Sequence, residues 1–117
     1  MKIAVIEDEK PHQELLCHYL GQWRDKAGQP VCLEAFDSGE QFWFRYQEQK
    51  DYDVLFIDIQ MPGMNGMDLA KQIRASDKDI VLVFATGDSA YLEEGYEVEA
   101  LHYLLKPLSQ EKVESCL

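Results

Sequence analysis

Five side chains from four separate stretches of the chain could together move a phosphoryl group between oxygen atoms: Glu7, Asp8, Asp58, Thr86 and Lys106. Carboxylates as close as Glu7, Asp8 and Asp58 would be cannot all stay ionised unless a cation joins them. Mg²⁺ suits such a set, being a hard ion that prefers oxygen ligands and keeps some water. Lys106 adds one further positive charge. With its charge offset, Asp58 can act as a carboxylate nucleophile toward phosphorus. The ion and Lys106 would stabilise charge on the transferring oxygens, while the Thr86 hydroxyl and backbone N–H groups donate hydrogen bonds to them. Singly, these residues mean little. Acids after a strand often cap helices, and an Asp before a Pro-Gly loop or a Lys-Pro pair is commonly a turn. Only their joint placement points to a site.

That placement depends on the elements that carry them. Short apolar runs alternate with amphipathic segments along the whole chain. Residues 3–6 read as a first strand, and Pro11 opens a helix with Leu15, Leu16, Tyr19, Leu20 and Trp23 on one side. Gly28, Gln29 and Pro30 break the chain before a second strand over 31–36. Ser38 with Gln41 forms a capping signal for a helix to about Gln49. A third strand over 54–57 runs into Asp58, and Asn65 caps a third helix with Leu69 and Ile73 on its buried face. Residues 80–85 form the fourth strand, followed by a weak helix over about 89–96 that contains Gly95. Residues 101–105 form the fifth strand, and Ser109 caps a last helix cut short by the chain end.

Five strand–helix repeats with near-continuous apolar strands imply a parallel sheet buried on both faces. Right-handed crossovers then give a flavodoxin-like doubly wound α/β fold, and the common five-stranded order is 2-1-3-4-5. Ligands in such folds sit beyond the carboxyl ends of the strands. Glu7-Asp8-Glu9, Asp58, Thr86-Gly87 and Lys106-Pro107 each follow a strand.

Composition narrows the setting. At 117 residues the chain is one domain, and 46% hydrophobic residues suffice for a core. The first apolar run ends at Glu7, too short for a signal peptide or membrane span, so the chain is expected to be cytoplasmic. A formal charge of -11 repels phosphates, so no direct nucleic acid binding is expected, whereas a cation or a basic partner surface suits it. Cys17, Cys32 and Cys116 are widely spaced and odd in number, and read as buried reduced thiols.

Taken together, these motifs resemble the CheY-like response regulator receiver family. The matching segments are Glu7-Asp8 after the first strand and Asp58 through Gly66 (Asp-Ile-Gln-Met-Pro-Gly-Met-Asn-Gly) after the third. Thr86, and Lys106-Pro107 with Tyr103 three residues earlier, complete the pattern. The resemblance implies two-component signalling, with Asp58 accepting a phosphoryl group from a sensor histidine kinase. It implies Mg²⁺ held by Asp8, Asp58 and the Gln60 backbone carbonyl, with Glu7 acting through water. Lys106 would bind phosphate, Thr86 and Tyr103 would form the switch pair, and Gln60 and Asp88 would flank the path of hydrolytic water and tune the signal's lifetime. The chain would thus catalyse its own phosphorylation and dephosphorylation without being a conventional enzyme. The Lys106–Pro107 bond is usually cis in this family.

Tyr91 through Leu108, with its Ala-Leu-His-Tyr-Leu-Leu-Lys-Pro run, is similar to receivers attached to LytTR-type DNA-binding domains. The resemblance therefore implies a transcription regulator whose output domain lies outside residues 1–117, with a truncated last helix. The fourth helix, fifth strand and fifth helix would carry the signal and a homodimer contact. Glu7 departs from the more usual Asp, and the interval from Asp8 to Asp58 is a few residues long, placed in a loop near Arg24–Pro30 or Lys50–Asp51. A pseudo-receiver, used as a phosphorylation-independent interaction module, would lack part of the set. A flavin-binding domain would need a Ser/Thr/Gly-rich loop where Glu7-Asp8-Glu9 stands. A haloacid dehalogenase-type phosphatase would carry its Asp-x-Asp after the first strand.

Overall fold

The computed structural model describes residues 1–117. Five strands alternate with five helices: β1 (Lys2–Ile6), α1 (Lys10–Ala27), β2 (Cys32–Phe36), α2 (Gly39–Glu48), β3 (Val54–Ile57), α3 (Gly66–Ser76), β4 (Val81–Thr86), α4 (Leu92–Glu97), β5 (His102–Leu105) and α5 (Gln110–Glu114). All strand pairs are parallel and the sheet order is β2-β1-β3-β4-β5, as the sequence predicts.

The strands sort by composition. β1, β3 and β4 are almost wholly apolar and lie in the middle, where both faces are covered. β2 and β5 mix exposed and half-buried positions and take the edges. Alternate residues of the central strands feed two cores. Ala4, Ile6, Leu55, Ile57, Leu82 and Phe84 meet α2 and α3 through Phe42, Tyr46, Leu69 and Ile73. Ile3, Val5, Val54, Phe56, Val83 and Ala85 meet α1 and α5 through Leu16, Leu20 and Val113.

The predicted caps form. Ser38 Oγ accepts from Gln41 N–H at 3.0 Å while Gln41 Oε1 accepts from Asp37 N–H at 2.7 Å. Asn65 Oδ1 accepts from Asp68 N–H at 2.9 Å, and Ser109 Oγ from Lys112 N–H at 3.2 Å. Buried Arg74 donates to the carbonyls of Asp77, Ile80, Val98 and Glu99, tying the end of α3 to the α4–β5 turn, where Glu99 has a φ of 57°.

Four sequence expectations need correction. Arg24–Ala27, read as loop, form the last turn of α1, which ends only where Gly28 adopts a φ of 67°. α4 begins at Leu92 rather than Ser89, because Asp88 Oδ1 accepts from Ala90 N–H and holds the segment before the helix in a turn. The inner stripe of α1 runs through Gln13, Leu16 and Leu20, so Leu15, one residue out of phase, is exposed. Only Cys116 is buried; Cys17 is half-buried, and Cys32 is exposed at the start of an edge strand with no neighbour outside it.

One glycine is demanded by close packing at the site. A Cβ on Gly66 would lie 2.0 Å from the Asp58 carbonyl oxygen and 2.7 Å from Ile57 Cγ2. Gly66→Ala is therefore expected to destabilise by about 3 kcal/mol in urea unfolding, since backbone must move. Gly21→Ala, in the middle of α1 where an added Cβ would meet only the Arg24 side chain of the same helix at 3.9 Å, is expected to stabilise by about 0.5–1 kcal/mol. Equal effects from the two would contradict the packing described.

Candidate functional site

The strand ends are aligned by the sheet itself. Ile6 stands beside both Phe36 and Ile57, and Ile57 beside Phe84. The ladder continues just past the strands: Glu7 N–H donates to Phe36 O at 3.1 Å, Asp58 N–H to Ile6 O at 3.0 Å, and Lys106 N–H to Thr86 O at 2.9 Å. The candidate residues are thus held by backbone register before any side chain acts. Gln13 adds a second brace. Its buried amide donates to Glu7 O at 3.0 Å, Phe36 O at 3.1 Å and Asp37 Oδ1 at 3.0 Å.

One carboxylate oxygen from each of Glu7, Asp8 and Asp58 lies within 4.8 Å of the others. Glu7 and Asp58 are buried, at 4% and 7% exposure. Lys106 Nζ donates to Glu7 Oε1 at 2.6 Å and to Asp58 Oδ2 at 3.2 Å. Asp8 Oδ1 is buried with no hydrogen-bond partner. A buried polar oxygen left so is costly. It faces a cluster where a hard cation would be its natural partner, so the donor set fits Mg²⁺. The peptide bond that brings Lys106 in, Lys106–Pro107, is cis.

The remaining sequence candidates converge on Asp88. Its Oδ2 accepts from Gln60 Nε2 at 2.7 Å and its Oδ1 from Ala90 N–H at 2.8 Å. Its own N–H donates to Thr86 Oγ1 at 3.3 Å, and its carbonyl accepts from the Tyr103 hydroxyl. Thr86 is fully buried and Tyr103 half-buried, its ring against Phe84 and over Gly95.

Residues 3–117 match the response regulator receiver domain family. The chain belongs to that family. It is 40% identical to the sensory transduction protein LytT of Oceanobacillus iheyensis over 112 residues, 94% of this chain and 44% of that protein. LytT of Bacillus subtilis is 28% identical over 117 residues, the whole of this chain and 46% of that one. The chain thus spans less than half the length of these curated relatives. Among solved structures, the response regulatory domain of mrkE from Klebsiella pneumoniae superposes with a TM-score of 0.88 at 26% identity, covering 99% of this chain and 91% of that one. The response regulator TrrA of Thermotoga maritima, solved in complex with Mg²⁺–BeF, gives 0.81 at 27% identity, covering 99% and 98%.

Two residues of this receiver's site carry no signal in the sequence. Gln13 reads as an ordinary helix residue, and only the amide's reach to two strand ends shows its role. His12, on the first turn of α1, places Nδ1 2.8 Å from Lys106 Nζ. On the opposite flank, Leu92, Tyr96, Leu101 and Leu105 are exposed, Tyr96 at 86%. The receiver therefore presents an apolar strip along α4 and β5. No helix is long and apolar enough to cross a membrane.

Electrostatics differ between the paired charges. Burial pushes the Glu7 carboxyl up to about 7, against the pull of the Lys106 ammonium and reinforced by the Asp58 charge. Burial alone would lower Lys106, but its bond to Glu7 and the Asp58 charge outweigh this and leave it raised. The folded receiver thus keeps a proton on Glu7 that the unfolded chain releases at its ordinary value of 4.5. Stability without divalent metal should fall as pH rises from about 4.5 to about 7. Urea unfolding in chelator should show this decline in the wild type and a flatter profile in Glu7→Gln; a wild-type stability rising through that window would contradict it.

Proposed function

We propose that this receiver accepts a phosphoryl group on Asp58 from a sensor histidine kinase and dephosphorylates itself. The observation that carries this reading is the Lys106 ammonium 3.2 Å from Asp58 Oδ2, inside a carboxylate cluster that includes an unpartnered Asp8 oxygen. The complete set of Asp8, Asp58, Thr86 and Lys106 argues against a pseudo-receiver.

In this reading an Asp58 oxygen attacks phosphorus and the bond to the donor's leaving group breaks, leaving an acyl phosphate. Asp8, Asp58 and the Gln60 carbonyl, with Glu7 acting through water, would hold Mg²⁺, which would supply positive charge to the transferring oxygens. Lys106 donates to the same oxygens from the other side. Thr86 has a hydroxyl proton to give a phosphoryl oxygen, while its own oxygen is anchored by Asp88 N–H. Gln60 and Asp88, joined at 2.7 Å, bridge the loops after β3 and β4 and restrict the approach of water.

The new dianion is then felt at Asp88, because Thr86 and Tyr103 both bond its backbone. A shift of Thr86 toward phosphate changes the seat of Tyr103 and with it the α4–β5–α5 surface, biasing an equilibrium already present. We place on that surface both contact with an output domain and self-association. The LytT relatives support a LytTR-type DNA-binding output and a cytoplasmic transcription regulator.

The test is intact-mass measurement after incubation with acetyl phosphate and Mg²⁺. One phosphoryl adduct is expected in the wild type, with none in Asp58→Asn or in chelator. Lys106→Met should slow adduct formation by about 10²-fold, the usual effect of losing one stabiliser of developing charge. Gln60→Ala should shorten the adduct's lifetime several-fold. An undiminished adduct in Asp58→Asn would remove the central residue from its role.

A further inference from the structure

We propose that His12 is a positioning residue for Lys106, its Nδ1 lone pair fixing the ammonium so that the remaining N–H points at Asp58. This rests on the phosphoacceptor reading, which gives Lys106 its purpose, but it concerns a residue that reading does not use.

The geometry follows from donor counting. An ammonium has three N–H groups and no acceptor. Lys106 Nζ meets three acceptors: Glu7 Oε1 at 2.6 Å, His12 Nδ1 at 2.8 Å and Asp58 Oδ2 at 3.2 Å. The two shorter contacts take two of the tetrahedral directions. The third is then determined, and it is the one aimed at the attacking carboxylate. Glu7 alone would set the torsion about Cε–Nζ but leave the flexible stem free to swing about that contact, carrying the other N–H groups off Asp58. A second fixed acceptor removes that freedom, which is the usual way a site converts a flexible lysine into a directed donor.

His12 can do this because its position is itself set. It lies on the first turn of an 18-residue helix that begins at Lys10, and Pro11 beside it restricts the backbone. Since Lys106 can only donate, Nδ1 is the bare nitrogen and Nε2 carries the hydrogen. The Glu9 carboxylate lies 3.1 Å from the same Nδ1 and competes by favouring a hydrogen there. Glu9 is the weaker claimant. Its side chain is 62% exposed and free to turn to water, whereas Lys106 is anchored by buried Glu7.

Two substitutions separate the acceptor from the ring. His12→Phe keeps a ring and removes Nδ1. His12→Asn removes the ring but places an amide oxygen the same number of bonds from Cα. His12 is exposed, so neither is expected to disturb the core. The first readout needs no phosphorylation: the ¹⁵N–¹H signal of the Lys106 ammonium, visible only when its protons are held from exchange. The wild type and His12→Asn should show it, and His12→Phe should lose it. The second readout is the rate of adduct formation with acetyl phosphate. It should fall about fivefold in His12→Phe, the worth of one ordinary hydrogen bond, and stay near wild type in His12→Asn. An unchanged ammonium signal in His12→Phe, or equal losses in both variants, would overturn the proposal. A wild type that shows the ammonium behaviour yet takes no phosphoryl group would instead refute the phosphoacceptor reading alone.

Discussion

The carboxylates of Glu7, Asp8 and Asp58 converge within 4.8 Å, and a single ammonium, that of Lys106, reaches two of them. Like charges so close raise one another's energy unless something positive intervenes. Glu7, pushed up mainly by burial and further by the Asp58 charge, holds its proton up to about 7. Asp8 shows it differently, with a buried oxygen that no protein group satisfies. A fold selected only for stability would dissolve this cluster with one amide or one apolar residue. It persists at the carboxyl edge of a parallel sheet, where backbone register places Glu7, Asp58 and Lys106 without help from their side chains.

From that cluster outward, the site connects to the surface through few atoms. Asp88 is the junction. Its side chain holds Gln60 and the start of the next turn, its N–H holds Thr86, and its carbonyl holds Tyr103. Under the proposed function, charge arriving on Asp58 would have a short covalent and hydrogen-bonded route to a ring that rests on α4. The helix at the end of the route is short and weakly held. It has six residues, no side-chain cap, and Gly95 at the point where a Cβ would stand 3.1 Å from Tyr103 Cδ2. Beside it, Leu92, Tyr96, Leu101 and Leu105 expose an apolar strip of the kind that marks an interaction surface.

Much of this was legible in the sequence because the strands carry an unambiguous signal. Continuous apolar runs at β1, β3 and β4 could be only interior strands, and with alternation of helices they imply the sheet order. Once the order is known, residues just past the strands must share an edge, which is how Asp8, Asp58, Thr86 and Lys106 could be named together. What local pattern could not show were side chains that act by reach. Gln13 and His12 look like helix surface in sequence, because their partners lie on other strands. Leu15 has the apolarity of a core residue but not its direction, because the helix phase is set by Leu16 and Leu20. The family pattern marks Gln60 and Asp88 separately, but their contact, and the gathering of Thr86 and Tyr103 on Asp88, come from loop geometry alone.

The charge imbalance is open to direct measurement by calorimetric titration of Mg²⁺ into the receiver and its Asp8→Asn variant at neutral pH. We expect one ion per wild-type chain and an affinity weaker by more than about tenfold when the unsatisfied Asp8 oxygen is replaced by an amide. Indistinguishable binding in the two proteins, or none in either, would mean that the three acids are not gathered around a cation.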